Sequence, residues 1–315
     1  MKEIGGYFEL EKTSGNGEYY PDLIHLNTAR NALVYLSKVK NIKKVFLPLY
    51  LCDSIWKVCE RENITYGFYH VSNDLRPLFD GGLNDGEYLY IVNYFGLLSD
   101  DELISLKNKY QRIIVDNVQA FFRKPLKGID TIYSCRKYFG TPDGAYLFAN
   151  PNKRIDIPKD DSSKRMKHLV GRAKDGAPVH YQEFKENENS FYGLPLMEMS
   201  LETHRLLFNI DYCGVKAKRE ENFSFLSSRL NRINELKFER IVGPFAYPLM
   251  VKNAKIIRKN LIDQKVYVPK LWPNVCSGEE GEIAEMILPI PCDQRYSKKD
   301  MNRIIGVIEK CMKTF

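Results

Sequence analysis

The sequence lacks an apolar run long enough to span a bilayer. Its longest uncharged apolar stretch, Tyr88 to Leu98, is broken by Asn93 and falls short of the roughly 18 residues that a membrane helix needs. An apolar signal core is missing too, because Lys2, Glu3 and Glu9 stand among the first ten residues, so a cytoplasmic protein is expected. Cysteine is sparse and badly spaced for cross-links or metal. The seven cysteines include no C-x-x-C pair, and Cys52 and Cys59, the closest two, have no His at finger spacing. Reduced thiols and no metal centre are expected. No internal repeat is present. With 44% hydrophobic and 28% charged residues in 315, the chain has enough apolar material for a core, which excludes disorder. Charge of one sign is not dominant either: 47 Lys+Arg against 40 Asp+Glu leave +7. That balance suits phosphorylated small molecules as well as nucleic acid. The densest basic runs, Lys38 to Lys44 and Lys252 to Lys259, lie on amphipathic helical segments and lack interleaved aromatics. They read as solvated faces, so neither nucleic acid nor a membrane is an expected partner.

What is present is an alternation of two periodicities. Polar residues Leu26 to Asn31 lead into a helical stripe of Ala32, Leu33, Leu36 and Val39. Short β-rich runs follow at 44–48, 64–70, 88–92, 112–115, 131–133 and 145–148, with helices expected from Ser54 to Glu62 and from Asp100 to Lys109. Strands separated by helical segments predict an α/β fold with a mainly parallel sheet flanked by helices. Residues 150–190 are rich in charged and amide side chains and read as a mobile excursion or lid. Helices are expected over 196–208 and 215–234. The tail, with strands near 247–251, 266–268 and 287–290 and helices over 254–264 and 298–312, predicts a small C-terminal α+β domain. The expected division is a large domain of residues 1–235 and a small one of 236–315.

Ligands of open α/β sheets bind at the carboxyl ends of strands, and three segments there carry suitable groups. Asp116 closes the run Ile113-Ile-Val115, with Gln119 three positions on; two polar groups could face one ligand, or Asp116 could simply cap a turn. Lys137 follows Thr131-Ile-Tyr133-Ser134-Cys-Arg and is flanked by Tyr138, Phe139 and a Gly/Pro turn. Partial desolvation there would lower its pKa and make it an amine nucleophile. Ser134 to Lys137 also spells Ser-x-x-Lys, but a serine acyl-enzyme needs a later Lys-Thr-Gly, which this sequence lacks. Third, free N–H groups at a helix start near Thr28 to Asn31, with Arg30 beside them, would make a phosphate site; an ordinary capped helix is the simpler alternative.

In order along the chain, these segments resemble the DegT/DnrJ/EryC1 family, the sugar aminotransferases among the fold-type I pyridoxal 5'-phosphate (PLP) enzymes of the aspartate aminotransferase superfamily. The likeness rests on Ala29-Arg30-Asn31-Ala32-Leu33, on Val115-Asp116-Asn117-Val118-Gln119-Ala120, and on Ser134 to Lys137 with Asp143-Gly144. The opening Ile4 to Glu9 and the tail Ile287 to Pro291 extend it over nearly the whole length. The resemblance implies a fold-type I enzyme in which Lys137 holds PLP as a Schiff base and shuttles the proton. Asp116 would pair with the pyridine nitrogen, and Gln119 would bond the ring hydroxyl. Ser134 with Ala29, Arg30 and Asn31 would grip the phosphate. Tyr50 is the candidate ring to stack on the cofactor, although spacing from Pro48 favours Cys52. Asn93 stands where many members carry His, in Asn93-Tyr-Phe-Gly96.

The implied activity is transfer of an amino group from glutamate to a nucleotide-linked keto-sugar, in surface polysaccharide biosynthesis, by a homodimer. The alternative is a non-catalytic or sensory fold-type I protein. The presence of Lys137 argues against the family's dehydratase branch, which carries His there. The chain departs from the family in its short length, in a compressed interval from Asp116 to Lys137, and in residues 189–200, which replace the usual Asn-Tyr-Arg segment. Arg172, His180 and Tyr181 could touch substrate or belong to a solvated loop. Arg295 could meet an anionic substrate group or sit in a surface salt bridge.

Overall fold

The structure is a computed structural model that describes residues 2–10, 17–239, 241–275 and 278–313. In chain order the first half contains β1 (Ile4–Gly5), β2 (Ile24–Leu26), α1 (Ala29–Lys40), β3 (Lys44–Pro48), α2 (Asp53–Arg61), β4 (Thr65–Val71), β5 (Pro77–Leu78), β6 (Glu87–Val92), α3 (Asp100–Tyr110), β7 (Ile113–Asp116), β8 (Asp130–Ser134) and β9 (Ala145–Phe148). Eight of these strands form one sheet in the order β2-β9-β8-β7-β6-β3-β4-β5. The run from β8 to β4 is parallel, whereas β9 is antiparallel to both β8 and β2. Strands β7 and β8 are buried along their whole length, as expected of central strands with both faces covered. Order reverses between β3 and β6, which opens a crevice beyond their carboxyl ends.

Local chemistry fixes the helix ends. Thr28 caps α1 by accepting the Asn31 N–H, and Asn41 closes it in a left-handed conformation. Ser99 and Glu102 form a reciprocal capping box on α3. The connection from β7 to β8 (residues 117–129) has no helix; Phe121 and Phe122 pack instead with Tyr20, Tyr133, Tyr138, Phe139, Tyr146 and Tyr212 in a separate aromatic core. The hydroxyls of Tyr20 and Tyr133 donate to the Arg123 carbonyl at 2.9 and 2.8 Å, which pins this connection to the sheet.

The second half adds α4 (Lys167–Asp175), α5 (Tyr181–Ser190), α6 (Leu201–Phe208), α7 (Tyr212–Leu230), β10 (Tyr247–Met250), α8 (Ala254–Asp263), β11 (Val266–Tyr267), α9 (Gly278–Met286), β12 (Ile287–Ile290) and α10 (Lys298–Met312). Strands β10 and β12 pair antiparallel, while β11 pairs in parallel with β1 from the other end of the chain. A further hydrophobic core joins Ile4 to α7, β10, α8, β12 and α10.

Residues 150–190 differ from the expected mobile excursion. Their second half forms α4 and α5, and the N-terminal segment seals them. The Tyr7 ring stacks on Phe184 at 4.6 Å, its hydroxyl donates to the Ala177 carbonyl at 2.8 Å, and Glu3 accepts the Ala177 N–H at 2.9 Å. The helix expected from 196 begins only at Leu201. Residues before it are held extended along β2, where Met197 and Met199 exchange backbone hydrogen bonds with Asn27 and His25. Asp143, fully buried, fastens this part to the Lys137 loop. It accepts the Ser200 N–H at 2.9 Å, the Ser200 hydroxyl at 2.7 Å and the Thr203 hydroxyl. Removing the carboxylate in Asp143→Ala takes the acceptor from the buried Ser200 N–H and Thr203 hydroxyl, so the variant is expected to lose about 3 kcal/mol of stability in urea denaturation.

Candidate active site

The carboxyl ends of β7 and β8 and the start of α1 bring Asp116, Lys137 and Arg30 within electrostatic reach of one another, with β6 packed alongside. Asp116, the last residue of β7, is buried. Its Oδ2 accepts the Tyr90 hydroxyl at 2.7 Å and its Oδ1 the Val118 N–H at 2.9 Å. Burial is the largest influence and pushes the carboxyl up to about 6, against these two hydrogen bonds and the Lys137 charge. The site therefore holds an acid whose ionised form lacks a full counter-charge.

Lys137 lies in a short 3-10 turn, Cys135–Lys137, directly after β8. Solvent reaches its side chain, yet protein surrounds the ammonium group closely enough that desolvation lowers its pKa, with Arg136 and Arg30 acting in the same direction. An accessible amine in a dense, electropositive cleft is a nucleophile. The turn itself is clamped from behind. The Tyr138 carbonyl accepts Arg219 Nη2 at 3.1 Å and Gln294 Nε2 at 2.9 Å, while Arg219, wholly buried, also binds the carbonyls of Pro244 and Phe245. The sequence reading missed this clamp because its partners lie 81 and 156 residues from Tyr138.

The start of α1 is an anion cradle. The N–H groups of Ala29 and Arg30 have no partner among the described residues, as helix geometry requires of a first turn. The Nη1 of Arg30 is buried without a hydrogen-bond partner, its guanidinium lying over the Tyr192 ring at 4.9 Å. The Ser134 hydroxyl is likewise unpartnered among the described residues. Arg136 and Arg165 flank Phe191 at 4.2 and 5.5 Å, each with a buried, unpartnered Nε, while their Nη2 groups are ion-paired, Arg136 with Glu188 and Arg165 with Asp160 at 2.7 Å. Mutual repulsion among Arg30, Arg136 and Arg165 adds to burial in pulling Arg136 down to about 9.

The remaining expected residues divide. Gln119 is fixed through Oε1, which accepts the Phe95 N–H at 2.8 Å, and its amide N–H groups stay free among the described residues. Asn31 has its side chain committed elsewhere: Nδ2 donates to Asn27 Oδ1 at 2.9 Å and to the Pro195 carbonyl at 2.8 Å, and Oδ1 accepts Arg61. Asn93 is turned inward, donating to Asn117 Oδ1 and accepting the Leu98 N–H, both at 2.9 Å; it shapes the turn after β6. Tyr50 is fully buried, with Trp272 and Tyr94 against its ring at 4.7 and 5.5 Å and its hydroxyl on the Leu271 carbonyl. No face of that ring is left for a ligand. Cys52 stands near enough to Lys137 to influence its charge. Away from the cleft, Arg295 is locked by Asp293 at 2.7 and 2.9 Å and by Glu9 at 3.3 Å, in a largely buried network and not a surface bridge. Arg172 is buried too, donating to the Gly5 carbonyl at 2.8 Å.

This architecture is the fold of the sugar aminotransferases. PseC from Helicobacter pylori, an aminotransferase involved in the biosynthesis of pseudoaminic acid, superposes with a TM-score of 0.65 at 13% identity, over 100% of both chains. DesV from S. venezuelae, solved in complex with a ketimine intermediate, gives 0.64 at 15% identity over 91% of this chain and 84% of its own. A DegT DnrJ EryC1 StrS aminotransferase from Brucella abortus gives 0.61 at 15%, over 91% and 85%. No family profile and no curated protein sequence matches the chain. The likeness is therefore one of fold, and it agrees with the resemblance read from the sequence.

The Asp116 carboxyl provides a pH test on the protein without added ligand. A folded-state pKa near 6, above the unfolded value, means that the neutral acid is accommodated below about pH 4 and that ionisation opposes folding as pH rises through 6. Asp116→Asn is thus expected to match the parent near pH 4 and to exceed it by about 2–3 kcal/mol at pH 7.5, measured by urea denaturation at the two pH values.

Proposed function

We propose that this protein is a PLP-dependent aminotransferase of the DegT/DnrJ/EryC1 type. The observation that carries the reading is the joint placement of three groups: a buried acid at Asp116, an amine at Lys137 whose charged form is disfavoured, and unpartnered donors at the start of α1. Each matches one part of the cofactor in charge and hydrogen-bonding sense. Asp116 would face the protonated ring nitrogen, which would supply the missing counter-charge. Ser134, the N–H groups of Ala29 and Arg30, and the Arg30 guanidinium would hold the phosphate. Gln119 would donate its free amide N–H to the ring oxygen. When bound, the cofactor supplies an aldehyde that condenses with amines and a ring that withdraws electrons from the adjacent carbon.

The chain's own residues do the rest. Lys137, whose charged form desolvation disfavours, would serve as the amine that holds the cofactor and would later hold and return the proton at the reacting carbon through Nζ. Asp116 keeps the facing nitrogen protonated. The carbonyl clamp from Arg219 and Gln294 limits the directions Lys137 can take.

The unpartnered Nε groups of Arg136 and Arg165 support an anionic acceptor, which suits a nucleotide-linked keto-sugar, with glutamate as donor and a role in surface polysaccharide assembly. No helix among the described residues is long and apolar enough to cross a membrane, which fits small-molecule work in the cytoplasm. Val170, Val179 and Tyr181, all at least half exposed on and beside α4 and α5, fit a homodimer that covers them. The core under β10, α8, β12 and α10, to which Ile4 and α7 also contribute, supports treating residues 236–315 as the main part of the small domain.

Reconstitution tests the reading. Protein incubated with PLP and desalted is expected to keep a visible absorbance band, which is absent in Lys137→Ala. Retention of the band in that variant, or no uptake by the parent, would overturn the assignment. Adding glutamate should bleach the band in the parent; a band unmoved by every amino acid would favour a binding or sensory protein. Turnover in Lys137→Ala should fall by about 10²–10⁴-fold.

A further inference from the structure

Outside the cleft, the segment before β2, the middle of β2 and the first turns of α6 bring Glu18, His25 and His204 together. One potential ligand atom from each lies within 4.8 Å of the others. His25 is set there by strand alternation: Ile24 and Leu26 enter the core, and His25 points to the opposite face, in register with Tyr146 on β9.

The hydrogen bonds fix the chemistry of each group. His25 Nε2 is 2.9 Å from the Tyr20 carbonyl. A carbonyl only accepts, so Nε2 carries the proton and Nδ1 presents a lone pair. That lone pair faces Glu18 Oε2 at 3.8 Å, too far for a hydrogen bond and with no proton between the two atoms. The carboxylate is held in place by the Tyr146 hydroxyl at 2.6 Å on Oε2 and by His204 Nδ1 at 2.6 Å on Oε1. No Lys or Arg forms an ion pair with Glu18 among the described residues; its partners are the two histidines. Two electron-rich atoms therefore look at each other across a gap in a half-buried site, and a cation is what such a gap accommodates.

We propose that Glu18, His25 and His204 form a binding site for a divalent zinc-like ion. Two imidazoles and a carboxylate are borderline ligands that suit Zn²⁺; Ca²⁺ and Mg²⁺ want an all-oxygen shell, and soft ions want thiolates. Ligands about 2.1 Å from a tetrahedral ion sit about 3.4 Å from one another, a spacing that lies inside the range these three atoms span. His204, about a third exposed, can turn to complete it. A cavity of about 190 Å³ lined by both histidines, with Arg154 and Glu198 on its wall, adjoins the three groups. The bonds from Tyr20 and Tyr146 are outer-shell supports of the kind that orient metal ligands.

The consequence is structural. The ion would tie β2 to α6, whose first turn carries Ser200 and Thr203, the residues that grip Asp143 in the Lys137 loop.

Calorimetric titration of the full chain with Zn²⁺, after chelator dialysis and with a reductant present, tests the site. One equivalent per chain is expected, with the His204 hydrogen moving from Nδ1 to Nε2 so that Nδ1 offers the ion its lone pair. His25→Ala and His204→Asn should each weaken binding by more than the roughly 10–100-fold that follows loss of an outer-shell partner. Cys213→Ser, which removes the exposed cysteine, should leave affinity unchanged. Should His25→Ala fail to fold, His204→Asn on the surface of α6 carries the test, with its near-UV circular dichroism as the control. Absence of binding by the parent, equal affinity in His204→Asn, or tighter binding of Ca²⁺ or Mg²⁺ than of Zn²⁺ would each overturn the proposal.

Discussion

The structure depends on a carboxyl group that it buries without a full counter-charge. Asp116 ends a strand that is apolar on both faces, and the two hydrogen bonds it receives fall short of what water would provide. Such a group opposes folding at neutral pH unless something positive arrives. Its neighbours are arranged around that deficit. Tyr90 reaches it from β6, Lys137 approaches from the turn after β8, and the Asn93–Asn117 amide pair stiffens the loops on either side. The sheet thus stores a local electrostatic imbalance in the place where its strand order opens a crevice.

How much of this was legible in the sequence follows from which forces are local. The strand at 44–48, the strands at 145–148 and 287–290 and the helix at 298–312 fall where periodicity and capping residues put them, because alternation and the Ser297–Asp300 box act over a few residues. Residues 150–190 read as a mobile excursion or lid because their helices hold little apolar surface. Their order comes from Tyr7 and Glu3, about 170 residues away, and no local pattern encodes that contact. The convergence of Asp116, Lys137 and the start of α1 followed from the strand-end rule. The side-chain commitments of Asn31, Asn93 and Tyr50 did not, because they hinge on Pro195, Asn117 and Trp272. Those partners are brought near only by the finished fold.

The connection between Asp116 and Lys137 is built in an unusual way. Parallel neighbours need a crossover of a dozen or more residues, usually helical. Here residues 117–129 cross without a helix, and aromatic rings take its place: Phe121 and Phe122 fill the space, and the hydroxyls of Tyr20 and Tyr133 bind the carbonyls that a helix would otherwise have satisfied internally. The chain saves length and keeps the spacing of β7 and β8, which is what sets Asp116 beside Lys137.

The cleft is also polarised from end to end. Asp116 lies at one side, while Arg30, Arg136 and Arg165 gather at the other with three buried guanidinium nitrogens unpaired. Like charges brought this close repel, and the helix start at Ala29 adds to the same sign. A ligand that relieves both imbalances carries positive charge toward Asp116 and negative charge toward the arginines. A purely anionic metabolite would relieve the arginines and worsen Asp116, whereas a simple cation would do the reverse. The electrostatics therefore select for a molecule of mixed charge, and they set its direction before any contact of shape is made.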